Sequence, residues 1–280
     1  MRVLRCADKD LTFERPRIMG VLNITPDSFS DGGTYFRSGQ VDVVRVRGVA
    51  EEMLDGGAAV LDVGGESTRP GADPVSLGEE LGRVIPVIEA LAPLDTIVSV
   101  DTRHAEVARA AVQAGARMVN DVSAAADPDM LGVVTSTQVG YAVMHMQGTP
   151  QTMQHSPRYA DVVREVRDYL STRIDCCVAA GVDLTRLMID PGFGFGKTMA
   201  HNTELLSRLQ DLRYRDLPLL VGLSRKSMLG TITGRAVDER VHASVAAALL
   251  AAQRGADLLR VHDVAATSDA LKVLTALRGD

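Results

Sequence analysis

The chain of 280 residues has no tryptophan, and tyrosine and phenylalanine occur five times each. So few aromatic rings exclude a base-stacking surface of the kind that binds single-stranded nucleic acids. Positive charge is also in the minority, because 30 Lys and Arg face 36 Asp and Glu and leave a formal charge of −6. We therefore expect no nucleic-acid partner, and any anionic ligand must be bound by local cations.

Cysteine and long apolar stretches are scarce as well. The three cysteines, Cys6, Cys176 and Cys177, are odd in number and lack the CxxC spacing of redox and zinc motifs, which is typical of a reducing compartment. The longest strongly apolar run, 245–252, is much shorter than a membrane span,. Residues 1–10 lack the apolar core of a secretory signal,. We expect a soluble, cytoplasmic protein with no membrane partner.

Eight short runs rich in Val, Ile and Leu alternate with segments of helical apolar spacing,. The runs predict strands at 18–22, 58–63, 96–100, 117–119, 141–144, 187–189, 217–222 and 258–261. Helices are predicted at 41–54, 77–91, 105–112, 162–178, 241–252 and 264–277. Four glycines that end a helix just ahead of a strand predict left-handed C-caps, namely Gly57, Gly115, Gly181 and Gly255,.

This alternation predicts an α/β fold with a parallel sheet, either a (β/α)8 TIM barrel or a doubly wound open sheet. Almost every predicted strand ends in Asp, Asn, His, Ser, Arg or Lys. Helix capping explains any single one of these residues, but in a barrel all of them meet at one rim, which favours the barrel. No linker divides the chain, so we predict a single barrel domain over 17–280 after an N-terminal extension, 1–16.

Three loops combine glycine with charged or aromatic residues. The loops at 23–33 and 62–71 have neither P-loop nor GxGxxG spacing,, and we interpret them as mobile active-site loops rather than plain surface turns. The third loop, 190–197, alternates three glycines with two phenylalanines. Its backbone can approach a flat ligand closely while Phe195 offers a ring face.

Polar residues at four strand ends predict a site for a heterocycle. Asp190 can accept two parallel N–H bonds from a guanidine-like edge, and such charge-assisted bonds are strong when water is excluded. Asp101 and Asn120 can complete the same edge, and Lys226 can reach a ring carbonyl.

Opposite them, Arg260 and His262 alternate along the last strand and therefore point the same way,. Barrels often bind phosphate near the seventh and eighth strands, so these two residues predict an anion site. The other five histidines form no HxxxH or HxH pair, and a zinc site is not predicted,.

Seven motifs in this order make the chain similar to the dihydropteroate synthase family of bacterial folate biosynthesis, over about residues 17–278. They lie at 19–33, 62–71, 99–102, 120–121, 190–197, 222–227 and 260–263. The resemblance implies a (β/α)8 barrel that condenses p-aminobenzoate with 6-hydroxymethyl-7,8-dihydropterin diphosphate and releases diphosphate with Mg2+. It also implies inhibition by sulfonamides, which imitate p-aminobenzoate, and a homodimer formed through the later helices.

The resemblance assigns roles to individual residues. The pterin would be bound by Asp101, Asn120, Asp190 and Lys226. The diphosphate would be bound by Asn23, Thr68, Arg69, Arg260 and His262, with Asn23 also binding Mg2+. The p-aminobenzoate would be surrounded by Phe29, Pro70, Phe195 and Ser227. The catalytic group would consist of Asp101, Asp190, Lys226, Arg260 and His262.

The implied mechanism is dissociative: the bond to diphosphate breaks first, and the amine attacks a pterin-stabilised cation without a strong general base. One departure from the family is the loop at 123–126, Ser-Ala-Ala-Ala, where we expect a glycine or bulkier residues. Two other readings are weighed: a pterin-binding methyltransferase and a catalytically silent relative. The first has no use for Thr68, Arg69 and the Arg260–His262 pair, and the second is expected to lack Asn23, Arg69 or Lys226.

Overall fold

The computed structural model describes residues 1–26, 35–37, 39–67 and 71–278. Its strands are, in chain order, β1 Arg2–Cys6, β2 Lys9–Phe13, β3 Arg17–Asn23, β4 Phe36–Arg37, β5 Gln40–Val41, β6 Val60–Gly64, β7 Ile97–Asp101, β8 Met118–Asp121, β9 Gly140–Met144, β10 Leu187–Asp190, β11 Leu220–Val221 and β12 Leu258–Val261. Its α-helices are α1 Val43–Asp55, α2 Leu77–Leu91, α3 Ala105–Gln113, α4 Met130–Thr137, α5 Val162–Ala179, α6 Met199–Ser207, α7 Ser227–Thr233, α8 Val241–Gln253 and α9 Val264–Arg278.

Eight parallel strands form one sheet in the order β10-β9-β8-β7-β6-β3-β12-β11. Its two ends meet, because Ile189 of β10 forms a parallel bridge with Leu219, just before β11. The amide of Ile189 also donates to the carbonyl of Pro218 at 3.1 Å. The sheet therefore closes on itself, which confirms the (β/α)8 barrel and excludes the open sheet.

Local sequence signals explain where the outer helices begin and end. Helix α2 begins with a capping box, in which Ser76 and Glu79 each accept the other's backbone N–H,. The four glycines predicted as left-handed caps all have positive φ, between 93° and 114°. The structure adds three helices to the six predicted from periodicity, α4, α6 and α7, which are among its shortest and therefore carry the weakest periodic signal.

The barrel interior has an apolar layer at the amino ends of the strands. One inward side chain from each strand contributes to it, and the hairpin β1–β2 covers it with Leu4, Cys6, Leu11 and Phe13. The strand residues are Met19, Val60, Ile97, Met118, Ala142, Met188, Leu220 and Leu258. Because side chains alternate along a strand, the residue two positions further on again points inward. In five of the eight strands that position is polar, and it is occupied by Asp62, Ser99, Asn120, Asp190 and Arg260.

The loop at 123–126 adopts a glycine-like conformation without glycine. Ala124 and Ala125 have φ of 54° and 57°, a region that favours glycine. Arg173 holds them there by donating to the carbonyls of Ala124, at 2.7 Å, and Ala125, at 2.8 Å. The carboxylate of Asp121 accepts from the amide of Ala125 at 2.7 Å and from the Tyr141 hydroxyl at 2.6 Å. Asp121 is thus a structural residue of this loop.

Within the described ranges, no helix combines the length and apolar character needed to cross a membrane. All three cysteines are free thiols, with Cys6 and Cys177 buried and Cys176 exposed. Burial raises the pKa of both Cys6 and Cys177 to about 12, so these two thiols are poor nucleophiles at neutral pH.

Candidate active site

An arginine of β12 bridges two carboxylates at the centre of the barrel. Arg260 of β12 donates Nε to Asp62 Oδ2 at 2.6 Å and Nη2 to Asp101 Oδ2 at 2.7 Å. Asn120 donates Nδ2 to the same Asp62 oxygen at 3.2 Å. These side chains come from β12, β6, β7 and β8, and all of them point inward. We call Asp62, Asp101, Asn120 and Arg260 the central network.

Burial and charge act against each other in the central network. Burial raises the pKa of Asp101 to about 7, with Arg260 opposing the rise and Asp62 adding to it. Burial alone would lower the pKa of Arg260, but Asp62 and Asp101 raise it above its ordinary value. Arg260 therefore stays charged, whereas Asp101 is close to its titration point near neutral pH.

The central network is left with unused polar atoms. Among the described residues, four buried side-chain oxygens around it have no hydrogen-bond partner: Asp62 Oδ1, Ser99 Oγ, Asp101 Oδ1 and Asn120 Oδ1. Unsatisfied buried oxygens are rare because each costs free energy. Three of them are carboxylate or amide acceptors, so the arrangement suits a ligand edge that is rich in N–H donors.

A second group is formed by Asp190, Lys226 and the loop 190–197, which we call the glycine loop. Asp190 Oδ1 accepts the amide N–H of Gly192 at 2.7 Å. Lys226 Nζ donates to the carbonyl of Phe193 and lies 4.7 Å from the centre of the Phe195 ring. The glycine loop therefore places a carboxylate, a cation and a ring together.

Electrostatics couple this second group to the central network. The pKa of Lys226 is lowered to about 8, chiefly by burial; Arg260 contributes to the fall, whereas Asp190 and Asp101 oppose it. Burial also raises the pKa of Asp190, against the effect of Lys226. The two groups thus belong to one site at the carboxyl ends of the strands.

Asn23 ends β3 beside the central network. Its Oδ1 and Asp101 Oδ2 each lie 3.8 Å from the point where a Cβ of Gly64 would stand. Glycine at the end of β6 therefore leaves space next to both oxygens. Amide and carboxylate oxygens are the ligands that Mg2+ prefers, so Asn23 fits the magnesium role that the resemblance implies.

His262 follows β12 and is oriented by Ser224. The Ser224 hydroxyl lies 3.0 Å from His262 Nδ1 and accepts the His262 amide N–H at 3.2 Å. Ser227, the first residue of α7, is exposed. Four of the residues given roles above, Phe29, Thr68, Arg69 and Pro70, lie outside the described residues.

A separate group that could hold a metal ion consists of Glu66, Glu80 and His104. His104 Nε2 lies 3.9 Å from an oxygen of each glutamate. Both Glu66 oxygens already accept hydrogen bonds from Arg103, at 2.9 and 3.0 Å. The sequence analysis missed this group, since its members come from three distant segments with no motif spacing. Arg103 neutralises part of its charge, so we place no ion there.

The structure departs from the sequence analysis in how the charged residues are divided. We expected the cation Arg260 to lie opposite the acidic group, yet it bonds directly to Asp62 and Asp101 because its long side chain reaches across β3 to β6 and β7. Asp62 and Ser99 were not assigned to the site. The alternation of inward and outward side chains along β6 and β7 could have identified them. Asp62 lies two residues after inward Val60, and Ser99 lies two residues after inward Ile97.

Comparison with known proteins identifies the family. Residues 19–262 match the family model of the pterin binding enzymes. The chain is 47% identical over 267 residues to the dihydropteroate synthase of Escherichia coli strain K12, covering 95% of this chain and 93% of that one. The chain belongs to the dihydropteroate synthase family. Its function is thus that of a dihydropteroate synthase, a transferase of folate biosynthesis.

Solved dihydropteroate synthases have the same fold. The Yersinia pestis synthase, in a sulfonamide drug complex, superposes with a TM-score of 0.94 at 45% identity, covering 99% of this chain and 100% of that chain. The Xanthomonas albilineans synthase with 4-aminobenzoic acid superposes with a TM-score of 0.91 at 51% identity, covering 99% and 98%. Identity at this level to synthases decides against the methyltransferase reading.

The lowered pKa of Lys226 predicts a pH-dependent stability. Below about pH 8, Lys226 is charged in both the folded and the unfolded protein, and burial of the ammonium lowers the free energy of unfolding,. Between about pH 8 and 10.5, the folded protein has lost this proton and the unfolded chain has not, so the cost of burial disappears,. Wild type should therefore gain stability relative to Lys226→Met over that window. Urea unfolding at about pH 7 and about pH 10 measures the difference. Lys272→Met controls for loss of an exposed lysine, and a pH-independent gap for Lys226→Met would contradict the prediction.

Proposed function

We propose that the chain joins p-aminobenzoate to 6-hydroxymethyl-7,8-dihydropterin diphosphate by a dissociative displacement at the pterin methylene, with the roles that the resemblance implies. The observation that carries this proposal is the set of buried acceptors around Arg260 that have no partner among the described residues. The aminopyrimidinone edge of a pterin is rich in N–H donors. Such a ligand satisfies acceptors that are otherwise left bare in the barrel.

The pterin is bound by Asp101, Asn120, Asp190 and Lys226. Asp190 and Asp101 accept N–H bonds from its donor edge, and Lys226 donates to its ring carbonyl. Support comes from the burial of Asn120 and Asp190. It also comes from the position of Lys226 Nζ, 4.7 Å from the centre of the Phe195 ring, which leaves the cation next to an aromatic face. Asp62 is added to the site as the residue that orients Arg260 and Asn120.

Charge separation drives the displacement. When the C–O bond to diphosphate breaks, positive charge spreads into the pterin, where the carboxylates of Asp101 and Asp190 stabilise it. Two of the five N–H groups of Arg260 bond Asp62 and Asp101, and we assign the other three, which have no acceptor among the described residues, to the diphosphate. His262, Thr68, Arg69 and Asn23 complete the diphosphate site. The amine then attacks the methylene carbon, and the anilinium that forms loses its proton to solvent water, a step that needs no strong base because an aniline nitrogen is already nucleophilic.

Magnesium is proposed as the cofactor, with Asn23 Oδ1 as its protein ligand. Support comes from the hard oxygen donor of Asn23 and from the space that Gly64 leaves beside it,. When bound, Mg2+ supplies charge neutralisation to the leaving diphosphate.

The second substrate, p-aminobenzoate, is placed against Phe29, Pro70, Phe195 and Ser227. Phe195 lies beside Lys226, so this placement brings the amine to the edge of the proposed pterin site. We propose that sulfonamides compete at the same place, as the sulfonamide complex of the Yersinia pestis relative suggests by similarity.

The reaction itself tests the proposal. Purified protein mixed with the pterin diphosphate, p-aminobenzoate and Mg2+ should form 7,8-dihydropteroate, detected by mass. Removal of Mg2+ with a chelator should slow the reaction, and added Mg2+ should restore it. A sulfonamide should raise the KM for p-aminobenzoate without changing kcat. Absence of the product in the complete mixture contradicts the proposal.

Substitution of Asp190 tests the pterin site. Asp190→Asn keeps the size of the side chain but replaces charge-assisted bonds with weaker ones, and we expect binding to weaken by about 2 kcal/mol, or roughly 30-fold in Kd. Calorimetry with the pterin diphosphate measures this effect. Asp55→Asn, at an exposed position, is the control and should bind as wild type does. Equal affinities for Asp190→Asn and wild type would remove Asp190 from the site.

A homodimer through the later helices is also proposed. Four of the exposed large apolar side chains lie on α7, α8 and α9: Ile232, Leu250, Val273 and Leu277. Helix α8 packs against both α7 and α9, so these residues lie on neighbouring elements that a second copy can cover. Sedimentation equilibrium is expected to give twice the 29.9 kDa mass of the chain, and a monomer at micromolar concentration contradicts this assignment.

The cytoplasm is proposed as the location because all three cysteines are free thiols, as expected in a reducing compartment,. Cell fractionation tests this, and recovery of the protein outside the cytoplasm contradicts it.

A further inference from the structure

The glycine loop is held by side-chain donors along its whole length. Each backbone carbonyl from Gly192 to Lys197 accepts a hydrogen bond from a side chain. The donors are Lys197 to Gly192 and Phe195, Lys226 to Phe193, Gln154 to Gly194, Tyr159 to Gly196, and Asn202 to Lys197. Lys197 is the donor that serves two of these carbonyls. They are the carbonyls of the first and last residues of the turn formed by residues 192–195, in which the Phe195 amide also donates to Gly192.

Lys197 is a buried lysine that the proposed reaction does not use. Its side chain is 3% exposed, and Nζ lies 2.9 Å from each of three acceptors: the carbonyls of Gly192 and Phe195 and Nδ1 of His145. The His145 carbonyl is a fourth, more distant acceptor at 3.4 Å, so the three N–H groups of an ammonium at this position are satisfied. Burial lowers the pKa of Lys197, and the Asp190 carboxylate opposes that effect.

His145 completes this arrangement from the neighbouring strand. It follows β9, and burial, followed by the charge of Lys197, lowers its pKa to about 3, so the ring is neutral at pH 7. Its ring stands edge-on to Tyr169, with centres 4.9 Å apart. A Cβ on Gly192 would collide with the His145 carbonyl. The glycine loop is therefore pressed directly against this segment.

We propose that Lys197, bonded to neutral His145, is a positioning residue that holds the glycine loop in its ligand-binding shape before the pterin arrives. The proposal rests on the pterin site described above. Lys197 does not contact the ligand; it fixes the turn that carries Gly192, the partner of Asp190, and Phe195, the partner of Lys226. A loop that is ordered in advance lowers the entropic cost of binding.

The test compares two buried basic side chains. Lys197→Met removes the donors at the glycine loop. Arg186→Met removes a cation that is also 3% exposed, which donates to the carbonyls of Val134 and Val139 at the other end of β10. Both variants should unfold at lower urea concentration than wild type. Only Lys197→Met should weaken binding of the pterin diphosphate, by about tenfold or more in calorimetric Kd.

A second readout is specific to the Lys197–His145 contact. In the proposed bond the Lys197 ammonium donates, so His145 Nδ1 accepts and the ring proton sits on Nε2. Long-range 1H–15N spectra should show the Nε2–H form in wild type and a changed signal in Lys197→Met. An Nδ1–H form in wild type would mean that His145 donates to a neutral Lys197 amine, and it would overturn the bond from Lys197 to His145 on which the proposal rests.

Two binding results overturn the positioning role: wild-type affinity in Lys197→Met, or equal weakening in Arg186→Met. If Lys197→Met does not fold, His145→Leu takes its place, because it removes the ring acceptor of Lys197. His145→Leu should weaken pterin binding by a smaller factor than Lys197→Met. Unchanged affinity in His145→Leu also overturns the positioning role. Wild-type protein that does not bind the pterin diphosphate contradicts the proposed function instead, which separates the two failures.

Discussion

The bonds of Arg260 to Asp62 and Asp101 are the interaction on which the rest of the site depends. A closed barrel points one residue in two of every strand into a space too small for bulk water, so charges placed there must neutralise one another. One guanidinium does this for two carboxylates that come from different strands. Without it, both carboxylates would be unpaired in the barrel interior, and the pKa of Asp101 would rise further because Arg260 now opposes its rise,. The central network thus makes it possible for an acidic, ligand-binding interior to exist in a folded barrel.

The interior is divided along the strands by the same alternation of side chains. At the amino ends of the strands, one apolar side chain per strand packs with the β1–β2 hairpin in a buried apolar layer. Two residues further along, the inward positions of several strands are polar, and their unused acceptors face the carboxyl ends. Stability and chemistry therefore occupy successive layers of the barrel, as is usual in this fold. The hairpin belongs to the stabilising layer, although residues 1–16 carry little signal in the sequence.

The two sides of the site are made rigid in different ways. The central network lies on strands and is fixed by ion pairs, whereas the glycine loop has no regular structure and is fixed by side chains that donate to its carbonyls. Glycine permits the backbone its unusual path, and Lys197 and its neighbours then make that path unique. A glycine-rich loop can thus be rigid, because side chains, and not the backbone of the loop itself, donate the hydrogen bonds that fix it.

The sequence by itself determined the eight strands, six of the nine helices in the described residues, the left-handed glycine caps and the barrel, because alternation and capping are local properties of the chain,. It also marked most polar strand ends, and the motifs in their order indicated the family. Only the tertiary structure decided which of these residues touch: that Arg260 reaches Asp62 and Asp101, that Ser224 orients His262, and that Lys197 lies between His145 and the glycine loop. The residues joined by the contacts of Arg260, by the contact of Ser224 with His262 and by that of Lys197 with His145 are 38 to 198 positions apart in the sequence. Only the bonds of Lys197 to its own loop are local. The physical reason is that barrel closure and side-chain length set such contacts, and neither leaves a local spacing in the sequence.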